Sequence, residues 1–222
     1  MRRFTVHKHQ SRIVLPALFS ATVALFCSNA SAVDQGDWLV RAGVGYVSPD
    51  DSSGQVAGFP DGSEVSVDSA TSLQLTIAYM MTPNINIELL GALPFKHDIN
   101  GEGAISGAGK IAETEQLPPS LVINYMFNPQ TNIRPYVGAG LNYTTFFNTD
   151  TTGALAGTDM DLEDSWGVAV DAGVDVDINK DWFFNASVWY MDISTTASVD
   201  GVDVVDVDIN PWALAIGIGT HF

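Results

Sequence analysis

Met160-Asp-Leu-Glu-Asp-Ser-Trp-Gly-Val-Ala-Val-Asp-Ala-Gly-Val-Asp-Val-Asp-Ile178 reads as two interleaved sequences. Even positions are almost all apolar: Met160, Leu162, Trp166, Val168, Val170, Ala172, Val174, Val176 and Ile178. Odd positions carry Asp161, Glu163, Ser165, Gly167, Ala169, Asp171, Gly173, Asp175 and Asp177. A period of two predicts a strand over 160–178 with one oily and one wet face, whereas a helix would scatter the aspartates around its cylinder. Strands of soluble domains run about five or six residues. This one is far too long for a soluble sandwich.

The alternation recurs along the chain. Segments 38–47, 72–81, 85–95, 119–127, 133–147, 182–193 and 202–222 each separate apolar from polar or small residues by parity. In 85–95 the apolar set is Ile85, Ile87, Leu89, Leu93 and Phe95, against Asn86 and Glu88. Eight strands result. Three connections are tight (Thr82–Asn84, Asn128–Asn132 and Asn179–Asp181) and four are long (48–64, 97–112, 148–158 and 194–201). Short and long alternate strictly, as do the periplasmic turns and outer loops of outer-membrane barrels. Aromatic residues near both strand ends, among them Trp38, Tyr79, Tyr125, Trp182 and Trp212, suit two interfacial girdles. The expected fold is all-β: an eight-stranded antiparallel transmembrane barrel, closed because no edge N–H or C=O can face lipid unpaired.

The amino-terminal residues predict export. Arg2, Arg3, Lys8 and Arg12 precede an apolar stretch from Ile13 to Phe26, and Ala30-Ser31-Ala32 offers small residues for cleavage. This order is a secretory signal over 1–32, leaving a barrel of 33–222 that begins at Val33 with both termini periplasmic. The apolar stretch is too short for a spanning helix, and Phe26 before Cys27 is too bulky for a lipoprotein signal. The signal carries four of the nine basic residues and none of the 26 acidic ones, so 33–222 keeps five bases and a formal charge of −21. That charge argues against nucleic acid as a partner. Cys27 leaves with the signal, and with it any disulfide or thiolate chemistry.

Several segments resemble the OmpW family: Glu88-Leu-Leu-Gly-Ala-Leu-Pro-Phe-Lys-His-Asp98, Leu117-Pro-Pro-Ser120, Arg134-Pro-Tyr-Val-Gly-Ala-Gly-Leu-Asn-Tyr-Thr-Thr-Phe-Phe147, Asp164-Ser-Trp-Gly167 and Ser187-Val-Trp-Tyr-Met-Asp-Ile193. They occur in family order from about residue 38 to Phe222, and the outer loops match least. The resemblance implies an eight-stranded outer-membrane barrel with a narrow, largely hydrophobic lumen that passes small hydrophobic molecules, relatives assisting uptake of alkane-like compounds. A terminal Phe222 closing an alternating strand looks like the signal read by the barrel-assembly machinery.

Eight strands leave a bore about filled by side chains, so a water-filled porin is excluded on size. Leu90, Val122 and Trp189 fall on otherwise polar inward parities and are candidates for a dry constriction lining the lumen. The plain alternative is ordinary core packing. Pro94 lies nine residues above the turn end of the third strand, and Pro118 and Pro119 lie nine and eight above that of the fourth. Proline gives no N–H to a ladder. Nine residues rise about 20–25 Å in a tilted strand, so these prolines are candidates for a lateral opening near the outer edge of the hydrocarbon layer. The alternative there is that the strands simply end.

Other sites read as bland. Asp175-x-Asp177-x-Asn179 starts like a calcium loop, but Lys180 and Ala186 occupy the places of the required Gly and Glu. Asp159, Asp161, Glu163, Asp203, Asp206 and Asp208 suggest a solvated acidic rim, with divalent ions shared with lipopolysaccharide as the alternative. His97 and His221 are too scattered for zinc, and no serine completes a hydrolase arrangement with His97 and Asp98. No cofactor and no enzymatic activity are expected. Two functions stand: a conduit for small hydrophobic solutes, or a structural or surface-interaction barrel whose filled lumen conducts nothing. Outer-membrane lipid and lipopolysaccharide are the surroundings expected in both.

Overall fold

The computed structural model describes residues 32–222; apart from Ala32, the expected signal segment lies outside them. Fifteen strand segments follow one another: β1 (Trp38–Ser48), β2 (Ser52–Ser53), β3 (Ser63–Val67), β4 (Ala70–Met80), β5 (Ile85–Ala92), β6 (Phe95–Gly103), β7 (Lys110–Leu117) and β8 (Ser120–Met126). Then come β9 (Ile133–Thr151), β10 (Met160–Leu162), β11 (Ser165–Asp177), β12 (Trp182–Met191), β13 (Ser194–Val199), β14 (Val202–Asp208) and β15 (Trp212–His221). Eight of them close a barrel in the order β1-β4-β5-β8-β9-β11-β12-β15, every neighbour antiparallel and β15 paired back to β1. Closure leaves no stave with a free edge facing lipid, as the bilayer requires.

The parity reading holds through the staves. Leu73, Leu75, Ile77, Leu121, Ile123, Leu141, Val168, Leu214, Ile216 and Ile218 are exposed on the outside, while Arg41, Glu88, Asn124, Asp171, Asp175 and Asn185 are buried within. Trp38 packs on Tyr79 with centroids 5.0 Å apart and Tyr125 on Phe127 at 4.9 Å near the turn end. Tyr143 meets Trp166 at 4.7 Å and Tyr190 meets Trp212 at 5.2 Å near the loop end. Amphipathic rings at both levels mark the two membrane interfaces. At the turns, Thr82 Oγ1 accepts from the N–H groups of Asn84 and Ile85, and Asn179 Oδ1 accepts from those of Asp181 and Trp182. Such side-chain caps satisfy groups that a tight turn leaves over.

Above the outer girdle, the long connections are not irregular loops. The extended end of β9 continues through β7, β6 and β3, and β10, β13, β14 and β2 form a second sheet opposite. This corrects three readings. The strand expected over 160–178 breaks at Glu163–Asp164, because β10 leaves the barrel to pair with β13; Met160 thereby turns inward. The expected strand 202–222 breaks at Ile209–Pro211, since Pro211 gives no N–H. Phe95, expected outward, is buried. Pairing runs Leu90↔Ser120 and resumes at Phe95↔Gln116, so four intervening residues face three. The extra residue acts like a bulge and reverses the parity of β6 relative to β5.

Candidate functional site

The interior is a stack of apolar spaces above a polar floor. At the mouth lies a cavity of about 550 Å³ whose walls include Phe59, Ile105, Ile111, Leu155 and Val204. Val65, Met160 and Val205 join it to a narrower space of about 30 Å³ between the two outer sheets, walled by Ile99, Phe146 and Leu162 among others. A further space of about 10 Å³ follows at the level where the sheets meet the barrel, enclosed by Leu90, Phe95, Pro118, Trp189, Met191 and their neighbours. Leu90 and Trp189 thus face the same void. Val122, which does not line it, belongs to the same buried apolar cluster. Trp189 is 1% exposed, its indole N–H donating to Ser187 Oγ at 3.2 Å.

Beneath this cluster the lumen turns ionic. Arg41 Nε and Nη2 donate to Asp175 Oδ1 and Oδ2 at 3.0 and 2.8 Å, a bidentate pair, and Nη1 donates to Glu88 Oε2 at 2.9 Å. Asn124 Nδ2 donates to Glu88 Oε2 at 2.9 Å, and Asn185 Nδ2 donates to Asp175 Oδ1 at 2.8 Å. The guanidinium also lies 5.0 Å from the ring centre of Tyr136. Nearer the periplasm, Arg134 pairs with Asp177 at 2.6 Å, and Leu39, Met80, Met126 and Phe183 fill the bore. Buried ion pairs with such geometry resist separation, because each freed charge would be desolvated. The calcium-like residues therefore have other work: Asp175 holds Arg41, Asp177 holds Arg134, and Asn179 caps a turn.

The three prolines lie where the ladder is interrupted. No pairing crosses from Gly91–Pro94 to Leu117–Pro119. Four of the carbonyls along this seam are nonetheless occupied. Ser72 Oγ donates to the oxygens of Leu93 and Pro94, Ser120 Oγ to Pro118, and the Tyr143 N–H to Pro119. Since Tyr143 belongs to the outer girdle, the seam sits at the outer interface. The strands do not end here: β6 and β7 pair again beyond it.

His97 lies above the seam, 1% exposed, with Nδ1 2.6 Å from the Asp68 carbonyl. Burial pushes its pKa below the ordinary histidine range, against the pull of that carbonyl. On the outer surface, Lys110 and Lys96 hold Glu113 below the usual carboxylate range. The six rim acids Asp159, Asp161, Glu163, Asp203, Asp206 and Asp208 are exposed or nearly so. Phe222 is 72% exposed, and its backbone bonds to that of Trp38 in both directions.

Sequence reasoning found the inward parity of Arg41, Glu88 and Asp175 but not their union. Their pairing across the bore depends on the register of β1, β5 and β11, which alternation alone does not fix. The signal available was three ionisable residues on inward parities of a bore too narrow to hydrate them.

Comparison with known proteins agrees with this architecture. The family model described as "OmpW family" matches residues 34–222. Outer membrane protein W of Vibrio cholerae serotype O1 is 47% identical over 217 residues, covering 94% of this chain and 96% of that one. Outer membrane protein AlkL of Ectopseudomonas oleovorans is 28% identical over 201 residues, 88% and 86% of the two chains. The crystal structure of the outer membrane protein OprG from Pseudomonas aeruginosa superposes with a TM-score of 0.80 at 40% identity, covering 87% of this chain and 99% of that one. The chain belongs to the OmpW family and is an integral outer-membrane β-barrel.

Proposed function

We propose that this barrel is a conduit for small hydrophobic molecules, which enter from outside and leave sideways into the membrane at the proline seam. The observation that carries the reading is where the apolar path stops. Cavities walled mostly by aliphatic and aromatic side chains descend to Leu90 and Trp189, and directly beyond them stands the Arg41 ion-pair layer. An apolar solute going straight on would have to part Arg41 from Glu88 and Asp175, at about 3–5 kcal/mol for a broken buried pair. Going sideways costs less. Pro94, Pro118 and Pro119 have no N–H to leave bare in lipid, and the carbonyls beside them are already bonded within their own walls.

In this reading Leu90, Val122 and Trp189 are the stopper that keeps water out while admitting apolar groups. The exposed Phe222 serves the assembly machinery, and the acidic rim faces the lipopolysaccharide layer. The filled floor also suits a structural barrel that conducts nothing, and uptake separates the two. Cells lacking the protein, complemented with the wild type, take up a labelled alkane faster than cells complemented with Trp189→Ala. Polar replacements at Leu90, Val122 or Trp189 raise ion conductance in planar bilayers. Unchanged uptake and conductance in all of these variants would favour the structural barrel.

A further inference from the structure

The narrow space between the outer sheets is not uniformly apolar in composition. Two of its lining residues, His97 and Gln116, are each 1% exposed, and the Nε2 atom of each has no hydrogen-bond partner. The other polar lining residues are accounted for. Thr114 Oγ1 lies 3.1 Å from Thr149 Oγ1, and Thr195 Oγ1 donates to the Glu163 carbonyl at 2.7 Å. A buried polar atom without a partner costs roughly 1–3 kcal/mol, so two on one wall of one cavity call for a reason.

Their chemistry is complementary. A carbonyl oxygen only accepts, so the contact with Asp68 places the proton of the neutral imidazole on His97 Nδ1. Nε2 is then a bare acceptor. Gln116 Nε2 is a donor. His97 pairs with Thr114 and Phe95 with Gln116 on adjacent strands, which makes His97 and Gln116 diagonal neighbours on one face. We infer that His97 and Gln116 form a polar subsite within the apolar path, selecting solutes that carry one hydroxyl on a hydrophobic body over plain hydrocarbons. A hydroxyl donates to His97 and accepts from Gln116, a ketone only accepts from Gln116, and an alkane does neither. The inference rests on the conduit reading above and sharpens its substrate class.

The test uses the full chain in lipid nanodiscs with methyl groups of Val65, Val67 and Ile99 as NMR reporters. n-Octane, 2-octanone and 1-octanol are titrated, and each affinity is expressed relative to that solute's concentration in the surrounding bilayer. The wild type should rank 1-octanol above 2-octanone above n-octane, each step about two- to ten-fold for one hydrogen bond gained. His97→Phe should lower the preference for the alcohol and leave the ketone unchanged. Gln116→Leu should lower both, and His97→Gln, which keeps an acceptor, should restore the alcohol in part. Heat-dependent gel migration confirms folding of each variant. Octane binding with no preference for the alcohol, or a preference untouched by both substitutions, overturns the subsite and leaves the conduit standing. Failure of all three solutes to shift the reporters overturns both.

Discussion

Replacing Arg41 by Met tests the floor of the lumen. Its guanidinium makes three charge-assisted contacts of 2.8–3.0 Å to Glu88 and Asp175, all fully enclosed in a lipid-embedded bore. Removing it leaves two carboxylates buried without a counter-charge, since Asn124 and Asn185 supply hydrogen bonds but no charge. Breaking one buried pair from one side costs about 3–5 kcal/mol. The loss here should fall in that range or above, a shift of at least a hundredfold in the folding equilibrium. Urea unfolding in liposomes, followed by tryptophan fluorescence, reads it as a lowered midpoint at constant slope. Adding Glu88→Gln and Asp175→Asn to Arg41→Met removes the uncompensated charges while keeping acceptors for Asn124 and Asn185, and should recover most of the loss. A single mutant within about 1 kcal/mol of wild type, or a triple mutant no better than the single, would refute the ion-pair layer, since the cost is assigned to unpaired charge.

Three further outcomes follow from the same geometry. A methyl group on Gly138 would overlap Asn124 Oδ1 and Asp171 Oδ1, so Gly138→Ala should destabilise the barrel by about 1–3 kcal/mol in the same unfolding assay. His97 is held neutral by burial, so the unfolded outer sheets bind a proton that the folded ones refuse. Their stability should therefore fall as pH drops through about 6.5 and level off below the depressed folded value, seen as faster amide exchange in β6 and β7. Protease on intact cells should cut the connection 54–62 and the tips near 104–109 and 153–158, while the paired parts of β6, β7, β13 and β14 resist; cutting at 82–84 or 179–181 would overturn the topology.

Alternation was enough to read the staves because a two-residue period is a local property, visible from Trp38 to Tyr46 or from Leu73 to Tyr79 without knowing any partner. It failed where the wall changes partner. Met160 shares the parity of Trp166 in sequence, yet it is buried while Trp166 is exposed, because Glu163–Asp164 carries the chain from one sheet to another. Phe95 was misread for a related reason: one added residue at the seam reverses sidedness, and nothing in the residue types says how many residues a bulge takes up. Val202–Asp208 reads as the start of the last stave because its alternation runs on to Trp212 with only Ile209–Pro211 to divide them, whereas it is a separate strand of the outer sheet. Within the lumen, parity named Leu90, Val122 and Trp189 as inward, while the Arg41 layer and the His97–Gln116 pair needed the cross-strand register.

The central claim, that solute leaves through the wall at the prolines, meets its most direct test in the triple replacement Pro94→Thr, Pro118→Thr, Pro119→Thr. New N–H groups can then pair across Gly91–Pro94 and Leu117–Pro119, closing the seam while Leu90, Trp189 and Arg41 are themselves left unsubstituted. Uptake of a labelled alkane is measured in cells lacking the native protein, at equal amounts of folded wild-type and variant barrel. The lateral route predicts uptake in the variant close to that of cells with no barrel. Uptake equal to wild type, with the variant fully folded, would contradict it.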